Sequence, residues 1–317
     1  MVNAAVMRRS FRFLMVLLIV YVAVVHGPAI KAGISYMWQE ISALRFSNGH
    51  LTIGKLEGDA ALLMNEKTGE ILYGKNEHDR LYPASTTKIL TALLALERGN
   101  PEDMIEVGDE VRFRTVGESS SGLQKGQRLS LQDLIAALML PSGNDAARTI
   151  AKYVTQLDIG HQVTMEEATK HFAKLMNERA EEIGAINSHF VNPHGLHDAE
   201  HYTTAYDLAL IAQTARSNTL FRQIVSEAER TVRTEQATYT FVNRNQLLQN
   251  GSEYYYEGAN GIKTGYTGEA GYCLVASAGR GNTDLIAVVL HSTSSDVWYD
   301  AQKMLQYGFD SVRNEKS

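Results

Sequence analysis

The sequence predicts an α+β fold: an antiparallel sheet built from both ends of the chain, flanked by helices, with a helical subdomain inserted in the middle. Three observations lead there. Near the start, apolar runs at residues 59–64 and 70–73 flank Asn65-Glu66-Lys67-Thr68-Gly69, the pattern of a β-hairpin around a glycine-containing turn. The middle of the chain repeats apolar residues at helical spacing between clear stop signals. The last third holds two apolar runs, 271–278 and 284–290, separated by Gly279-Arg280-Gly281-Asn282, which read as adjacent antiparallel strands.

Taken in order, Pro83-Ala84-Ser85-Thr86-Thr87-Lys88 opens a helix with apolar residues at Ile89, Leu90, Leu93, Leu94 and Leu96, and Gly99-Asn100-Pro101 stops it. Ser130, with Asp133 three residues on, marks the start of a second helix through Leu140. Pro141-Ser142-Gly143-Asn144 breaks it and a third helix resumes at Asp145. Residues 164–183 form a long amphipathic helix whose first turn carries Glu166 and Glu167, as the helix dipole favours. Residues 204–215 give another helix, and 298–309 a closing one. There are no repeats and no low-complexity linker.

At 317 residues the chain is long enough for one large domain or two small ones. Its formal net charge is −6, and no block of Lys or Arg interrupts the body. That argues against a nucleic-acid partner, which needs a basic footprint. The single cysteine, Cys273, excludes an intramolecular disulfide. It sits in Tyr272-Cys273-Leu274-Val275-Ala276 and reads as a buried strand residue, since free Cys behaves as a small hydrophobe.

The N-terminus carries an export signal. Arg8, Arg9 and Arg12 precede an apolar run over residues 13–25, a basic flank before a short apolar core. The run is shorter than the ~20 residues a spanning helix needs. Gly27-Pro28-Ala29 offers small residues for cleavage, and an uncleaved anchor is the alternative. The expected organisation is a signal peptide or membrane anchor over 1–29, a connector over 30–57 and one domain over 58–317, with the arginines held in the cytoplasm and the rest exported.

Three motifs carry the chemistry: Ser85-Thr86-Thr87-Lys88, Ser142-Gly143-Asn144 and Lys263-Thr264-Gly265. Each alone has an ordinary structural use. Ser85 could be a helix cap, Ser142 and Asn144 an inter-helix turn, and Lys263-Thr264-Gly265 the start of a strand. Together, in this order, they form the triplet of serine acyl-transfer enzymes. Residues three apart on a helix share a face, so Lys88 lies beside the Ser85 hydroxyl. It can take the hydroxyl proton if burial and a second cation, Lys263, lower its pKa. Free N–H groups at a helix start can stabilise an oxyanion.

With these motifs the sequence resembles the serine-type D-alanyl-D-alanine carboxypeptidases, the low-molecular-mass penicillin-binding proteins, over residues 58–309. Further stretches strengthen the likeness: Tyr82-Pro83-Ala84, Asp145-Ala146-Ala147, Asn192-Pro193-His194-Gly195-Leu196, and Gly261-Ile262-Lys263-Thr264-Gly265-Tyr266-Thr267 followed by Ala270-Gly271-Tyr272. The resemblance implies a β-lactamase/transpeptidase-like fold and a peptidase that removes the terminal D-alanine from peptidoglycan stem peptides without a cofactor or metal. It implies Ser85 as nucleophile, Lys88 as base, and Ser142 as relay to the leaving amine. Asn144 would hold the substrate amide, and Lys263, Thr264 and Gly265 its carboxylate end. The backbone N–H groups of Ser85 and Tyr266 would form the oxyanion hole. β-Lactams would acylate Ser85, and the N-terminal segment would secrete the enzyme or tie it to the outer face of the cytoplasmic membrane.

The chain departs from the family's habits in two places. Many relatives carry a second, β-rich domain and a C-terminal anchor, whereas this sequence stops at Ser317 after the closing helix. Some have an arginine after the last strand that helps bind the carboxylate; here the stretch is His291-Ser292-Thr293-Ser294-Ser295. Other readings stay open. An endopeptidase would use the same residues. A β-lactamase would need an added acidic base, and no acidic motif stands out between Asn144 and Lys263. A non-catalytic wall-binding protein would not need the triplet. A zinc enzyme would draw on His194, His197, His201 and Asp198, but Pro193 and Gly195 oppose a helix that would align the first two, and His-Glu-x-x-His is absent.

Overall fold

The computed structural model describes residues 53–314; the segment 1–29 and most of the connector lie outside them. The chain runs through β1 (Ala60–Asn65), β2 (Ile71–Lys75) and a 3-10 turn (Ala84–Thr87) into α1 (Lys88–Arg98). Short strands β3 (Met104–Glu106) and β4 (Arg128–Ser130) precede α2 (Leu131–Met139), α3 (Asn144–Ile159), α4 (Met165–Ile183), α5 (Ala205–Arg216) and α6 (Thr219–Ser226). A hairpin of β5 (Glu229–Arg233) and β6 (Thr238–Val242) leads to β7 (Ala259–Thr267), β8 (Gly271–Arg280), β9 (Thr283–Ser292) and the closing helix α7 (Asp296–Asn314).

The main sheet has the order β2-β1-β9-β8-β7, antiparallel throughout. Both ends of the chain therefore build it, as the hairpin patterns at residues 59–73 and 271–290 imply. Alternation explains how it is sandwiched. Ala60, Leu62 and Met64 of β1, Val275 of β8 and Ile286, Val288 and Leu290 of β9 join the core shared with the helical block. Their neighbours Ala61, Leu63, Leu274, Ala276, Leu285, Ala287 and Val289 face a second core under α7. Because both faces are covered, the strand sequences are continuously apolar rather than alternating. Each fully buried Leu or Val contributes roughly 1.5–3 kcal/mol relative to exposure.

α7 presents Val297, Trp298, Ala301, Met304, Leu305 and Phe309 to that second core, the i, i+3/i+4 spacing of an amphipathic helix. Its buried Asp300 accepts the backbone N–H groups of Glu57 and Gly58 at 2.8 Å each, and Leu56 is buried in the same core. The end of the connector is thus packed onto the domain. The helix starts read from sequence carry caps: Ser130 accepts from the Asp133 N–H, Thr164 and Glu167 form a reciprocal capping box, and Thr204 accepts from the Asp207 N–H.

Two local features differ from the sequence reading. Ser85 lies in the 3-10 turn, and α1 begins only at Lys88. In a 3-10 turn residues i and i+3 eclipse, so the Ser85–Lys88 pairing is closer than an α-helix would give. The helix α6 and the strands β3–β6 were not visible in the pattern. β3 and β4 have three residues each, and β5 and β6 bury one residue apiece, too little alternation to register. Among the described residues no helix is long and apolar enough to cross a membrane.

Candidate active site

The Ser85-Thr86-Thr87-Lys88 motif sits where three elements meet: the 3-10 turn, the start of α3 and the edge strand β7. The turn is built by its threonines. The hydroxyls of Thr86 and Thr87 donate back to the carbonyls of Pro83 and Ala84 at 2.6 and 2.8 Å. Ala84 is held at φ 47°, a left-handed conformation unusual for a residue with a Cβ. Gly195, itself at φ +82°, packs so close that an added Cβ would lie 1.8 Å from the Ala84 carbonyl oxygen. Gly265 of β7 approaches from the other side; a Cβ there would meet Pro83 O at 2.9 Å and Ser85 N at 3.1 Å. The glycine in Lys263-Thr264-Gly265 thus lets the strand lie against the serine.

Lys88 is fully buried. Its Nζ lies 2.8 Å from Ser85 Oγ, 2.7 Å from Asn144 Oδ1 and 2.7 Å from the His194 carbonyl oxygen. Burial, then the charges of Lys263 and Arg244, hold its pKa well below the ordinary lysine value, although Glu118 and Asp145 pull the other way. The partner set has a chemical consequence. A neutral amine has two N–H donors and one lone pair, and the carbonyl oxygens of Asn144 and His194 only accept. With both hydrogens given to them, the lone pair is left for the Ser85 hydroxyl.

The stretch Asn192-Pro193-His194-Gly195-Leu196 aims one of those carbonyls. Asn192 Oδ1 accepts the N–H groups of His194 and Gly195 at 3.2 and 2.7 Å. Thr91 of α1 donates to the Pro193 carbonyl at 2.6 Å. The other carbonyl comes from Asn144, the first residue of α3. Ser142, two residues before it, has φ 68° and a buried Oγ with no hydrogen-bond partner. A strained backbone and an unsatisfied buried hydroxyl in the same residue are the marks of a functional position.

A loop over residues 113–123 walls this side. The buried carboxylate of Asp145 gathers it by accepting from Ser120 Oγ, from both the N–H and Oγ of Ser121, and from the N–H groups of Gly122 and Leu123, all within 3.1 Å. Burial raises the pKa of that carboxyl, but these donors outweigh it and hold it below the ordinary value. Glu118 of the same loop is paired with Arg148 of α3 through two 2.7 Å bonds, and both side chains are buried. Glu118 also accepts from Asn144 Nδ2 at 3.4 Å. Glu118 precedes Asn144 in sequence and so lies outside the stretch between Asn144 and Lys263 where an added acidic base is expected.

The opposite wall is β7. Lys263 is buried, and its Nζ donates to the Thr264 carbonyl at 3.0 Å. Burial, then the Arg244 charge, lower its pKa to about 7. Thr264 is half-buried, and Tyr266 is 59% exposed with its ring 4.4 Å from that of Tyr272. Arg244 donates to Ser119 Oγ at 2.7 Å. It is flanked by buried Asn243 and Asn245, and Asn245 Nδ2 donates to the Gly261 carbonyl of β7 at 2.8 Å. Nothing in the sequence around Asn243-Arg244-Asn245 marks it as part of the site; only the fold brings it beside Lys263.

The histidines suggested for zinc have other work. His201 Nδ1 accepts the Val191 N–H at 3.1 Å, which leaves Nε2 to donate to Thr87 Oγ1 at 2.8 Å. Burial lowers its pKa to about 4. His197 meets Tyr82 edge-on. Cys273 is buried in β8, with its thiol pushed up to about 12 by desolvation.

This geometry places Ser85, Lys88 and Asn144 in direct contact, Gly265 against Ser85, and Lys263 near enough to lower the Lys88 pKa. Comparison with known proteins agrees with it. The peptidase S11 family model, described as D-alanyl-D-alanine carboxypeptidase, matches residues 50–294. A D-alanyl-D-alanine carboxypeptidase of Bacillus subtilis, DacF, is 35% identical over 262 residues, covering 80% of this chain and 62% of that protein. One from Streptomyces sp. K15 is 35% identical over 258 residues, covering 78% of this chain and 85% of the relative. The crystal structure of the Streptomyces K15 DD-transpeptidase superposes with a TM-score of 0.75 at 33% identity, covering 82% of this chain and 100% of that one. The chain spans less than two thirds of the length of the Bacillus relative. With the fold, the three motifs and these matches in agreement, the chain belongs to the D-alanyl-D-alanine carboxypeptidase family, peptidase family S11.

Proposed function

We propose that the chain is a serine D-alanyl-D-alanine carboxypeptidase that removes the terminal D-alanine from peptidoglycan stem peptides, with Ser85 as nucleophile. The observation that carries this reading is the Lys88 amine, buried among two carbonyl oxygens and the Ser85 hydroxyl. In the first half-reaction Ser85 Oγ attacks the carbonyl between the two D-alanines and its proton passes to Lys88 Nζ. The oxyanion sits between the backbone N–H groups of Ser85 and Tyr266. Collapse breaks the peptide bond, and Ser142 relays the proton from Lys88 to the departing amine. Water then attacks the acyl-enzyme, gives its proton to Lys88 and frees Ser85.

Substrate recognition falls to the other wall. Lys263 and Thr264 attract the terminal carboxylate, Gly265 allows the strand to come close, and Arg244 adds a second positive charge where the arginine after the last strand is missing. Asn144 has one amide hydrogen left for the substrate's carbonyl. β-Lactams acylate Ser85 by the same attack. The arginine-flanked apolar segment at residues 13–25 supports a site of action outside the cytoplasmic membrane, secreted or held at its outer face.

A second reading keeps the same acyl-enzyme but changes the donor or the acceptor. An endopeptidase would cut cross-links with these residues. The solved Streptomyces K15 neighbour is titled a DD-transpeptidase, while the curated relative from that strain is named a carboxypeptidase. A fluorescent penicillin should label the wild-type protein and leave Ser85→Ala unlabelled; equal labelling of both would sink the nucleophile assignment. Incubation with a pentapeptide and with a cross-linked dimer then separates the activities. Free D-alanine from the pentapeptide supports the carboxypeptidase, and dimer cleavage alone supports the endopeptidase.

A further inference from the structure

We propose that the buried Glu118–Arg148 pair is a positioning device for the base: it fixes which way the Asn144 side-chain amide points, and so keeps the Lys88 lone pair on Ser85. The inference rests on the reading of Lys88 as the proton acceptor and deepens it. An asparagine amide has two faces of opposite character and nearly the same shape. With Oδ1 toward Lys88, as here at 2.7 Å, the amide takes one of the amine's hydrogens. Turned over, it would present Nδ2 to the same amine. That group donates, would occupy the lone pair, and would take the base away from Ser85.

What decides between the two orientations is the other side of Asn144. There Glu118 Oε2 accepts from Nδ2 at 3.4 Å. A carboxylate has no hydrogen to offer, so the flipped amide would set Oδ1 against an anionic oxygen. Arg148 makes Glu118 a dependable acceptor. Its guanidinium takes both carboxylate oxygens at 2.7 Å in the planar two-bond arrangement characteristic of Arg. Side-chain exposure is 6% for Arg148 and 1% for Glu118. Burial raises the Glu118 pKa, but the Arg148 bonds and charge, with smaller help from Thr115 and Asn144, hold the carboxyl below its ordinary value and therefore ionised. Arg148 lies near enough to His194, whose carbonyl is the other acceptor for Lys88, to lower its imidazole pKa after burial and Lys88. The pair therefore adjoins both carbonyl groups that hold the amine.

Glu118→Gln is the sharpest test because it keeps the shape. Arg148 faces both oxygen positions and shares Oε2 with Asn144 Nδ2. Whichever position the glutamine NH2 takes, Nδ2 therefore meets either a donor or a neutral oxygen, roughly half as strong an acceptor as the carboxylate, and the amide's preference for its present orientation falls. Acylation by a fluorescent penicillin should then slow about tenfold or more, a share of the ~10²–10⁴-fold that a positioned base contributes. The loss should persist on the plateau of the pH profile, because the amine is neutral there and only misdirected. In an Asn144→Ala background the same substitution should cost nothing further, since there is no amide left to turn. A normal rate in Glu118→Gln, or an equal loss with and without Asn144, would overturn the inference. If Glu118→Gln does not fold, Glu118→Met/Arg148→Met replaces the ion pair with apolar groups of similar volume, a change buried pairs often tolerate. The same loss and the same absence of loss beside Asn144→Ala are expected. A readout independent of acylation separates this idea from the functional one. The Asn144 side-chain N–H signals should be protected from solvent exchange in the wild-type protein and lose protection in the double Met variant; unchanged protection would refute it even if Ser85 proved not to be the nucleophile.

Discussion

The candidate site holds two buried lysines, and they are kept in different ways. Lys88 is surrounded by three oxygens, two of which can only accept, and it stands on the first residue of a helix in the middle of the core. Lys263 lies on an edge strand and bonds the carbonyl of the next residue. Burial lowers both pKa values first. Lys88 is then lowered by Lys263 and Arg244, and Lys263 by Arg244 alone. The difference separates two jobs. An amine whose hydrogens are taken by carbonyls has its lone pair directed and suits proton transfer. An ammonium with few internal partners keeps its donors for an anion from outside. On the proposed reading, burial lowers both amines and the arrangement of their neighbours separates their roles.

The comparison breaks most sharply at Lys88. Lys88→Met keeps the length and apolar stem of the side chain and removes the amine. Acylation should fall by ~10²–10⁴-fold, read as the rate of fluorescent penicillin labelling, while the thermal transition remains cooperative. Acylation at the wild-type rate would mean that some other group takes the Ser85 proton and that the carbonyl pair around Lys88 is only structural.

Lys263→Met should cost less and in a different parameter. Losing a charge-assisted bond to the substrate carboxylate amounts to about 1.5–3 kcal/mol, or roughly 10–150-fold in kcat/KM. A substrate whose terminal carboxylate is a methyl ester should show little gap between variant and wild type, because it never used the charge. The Lys263 pKa is about 7 in the folded protein against the ordinary 10.5. Between those values the unfolded chain binds more protons, so the lysine's destabilisation is fully present below about pH 7 and fades as pH rises toward 10.5. The Met variant should therefore gain Tm over wild type at pH 6 and lose that advantage near pH 10. An equal penalty on ester and acid substrates would show Lys263 acting on chemistry rather than recognition.

How much of this was legible beforehand divides along the same line. The Ser85–Lys88 contact is local, three residues apart, and the sequence carries it directly. Four strands of the main sheet, the closing helix and the helix starts at Ser130, Thr164 and Thr204 also follow from apolar spacing and cap chemistry, whereas the edge strand β7 does not. What was not legible is whatever depends on distant segments meeting. Glu118 and Arg148 are 30 residues apart in the chain, and neither belongs to a motif. Arg244 lies in an unmarked loop, and the His194 contribution is a backbone carbonyl, which no side-chain pattern reports. Even the 3-10 turn at Ser85, built by its own threonines, is closed on from outside, by Gly195 against Ala84 and Gly265 against Ser85.

Arg244 gives the smallest effect and the finest discrimination between the two lysines. Its side chain is exposed, so its own share of carboxylate binding should not exceed ~1 kcal/mol, about fivefold in kcat/KM for Arg244→Gln. Its effect on the pH profile is more diagnostic. Below about pH 7 Lys263 is charged and attracts the carboxylate; above it that attraction fades, giving kcat/KM an alkaline limb near 7 in the free enzyme. With Lys88 as the proposed base, the acid limb belongs to it, since it must be neutral to accept a proton. Arg244 lowers both pKa values, and removing a like charge raises them. In Arg244→Gln both limbs should therefore move to higher pH. If only the alkaline limb moves, Arg244 acts on Lys263 alone and the base is tuned from the α3 side. If neither moves, its positive charge is absorbed by solvent, Lys263 is set by burial, and Lys88 by burial and Lys263.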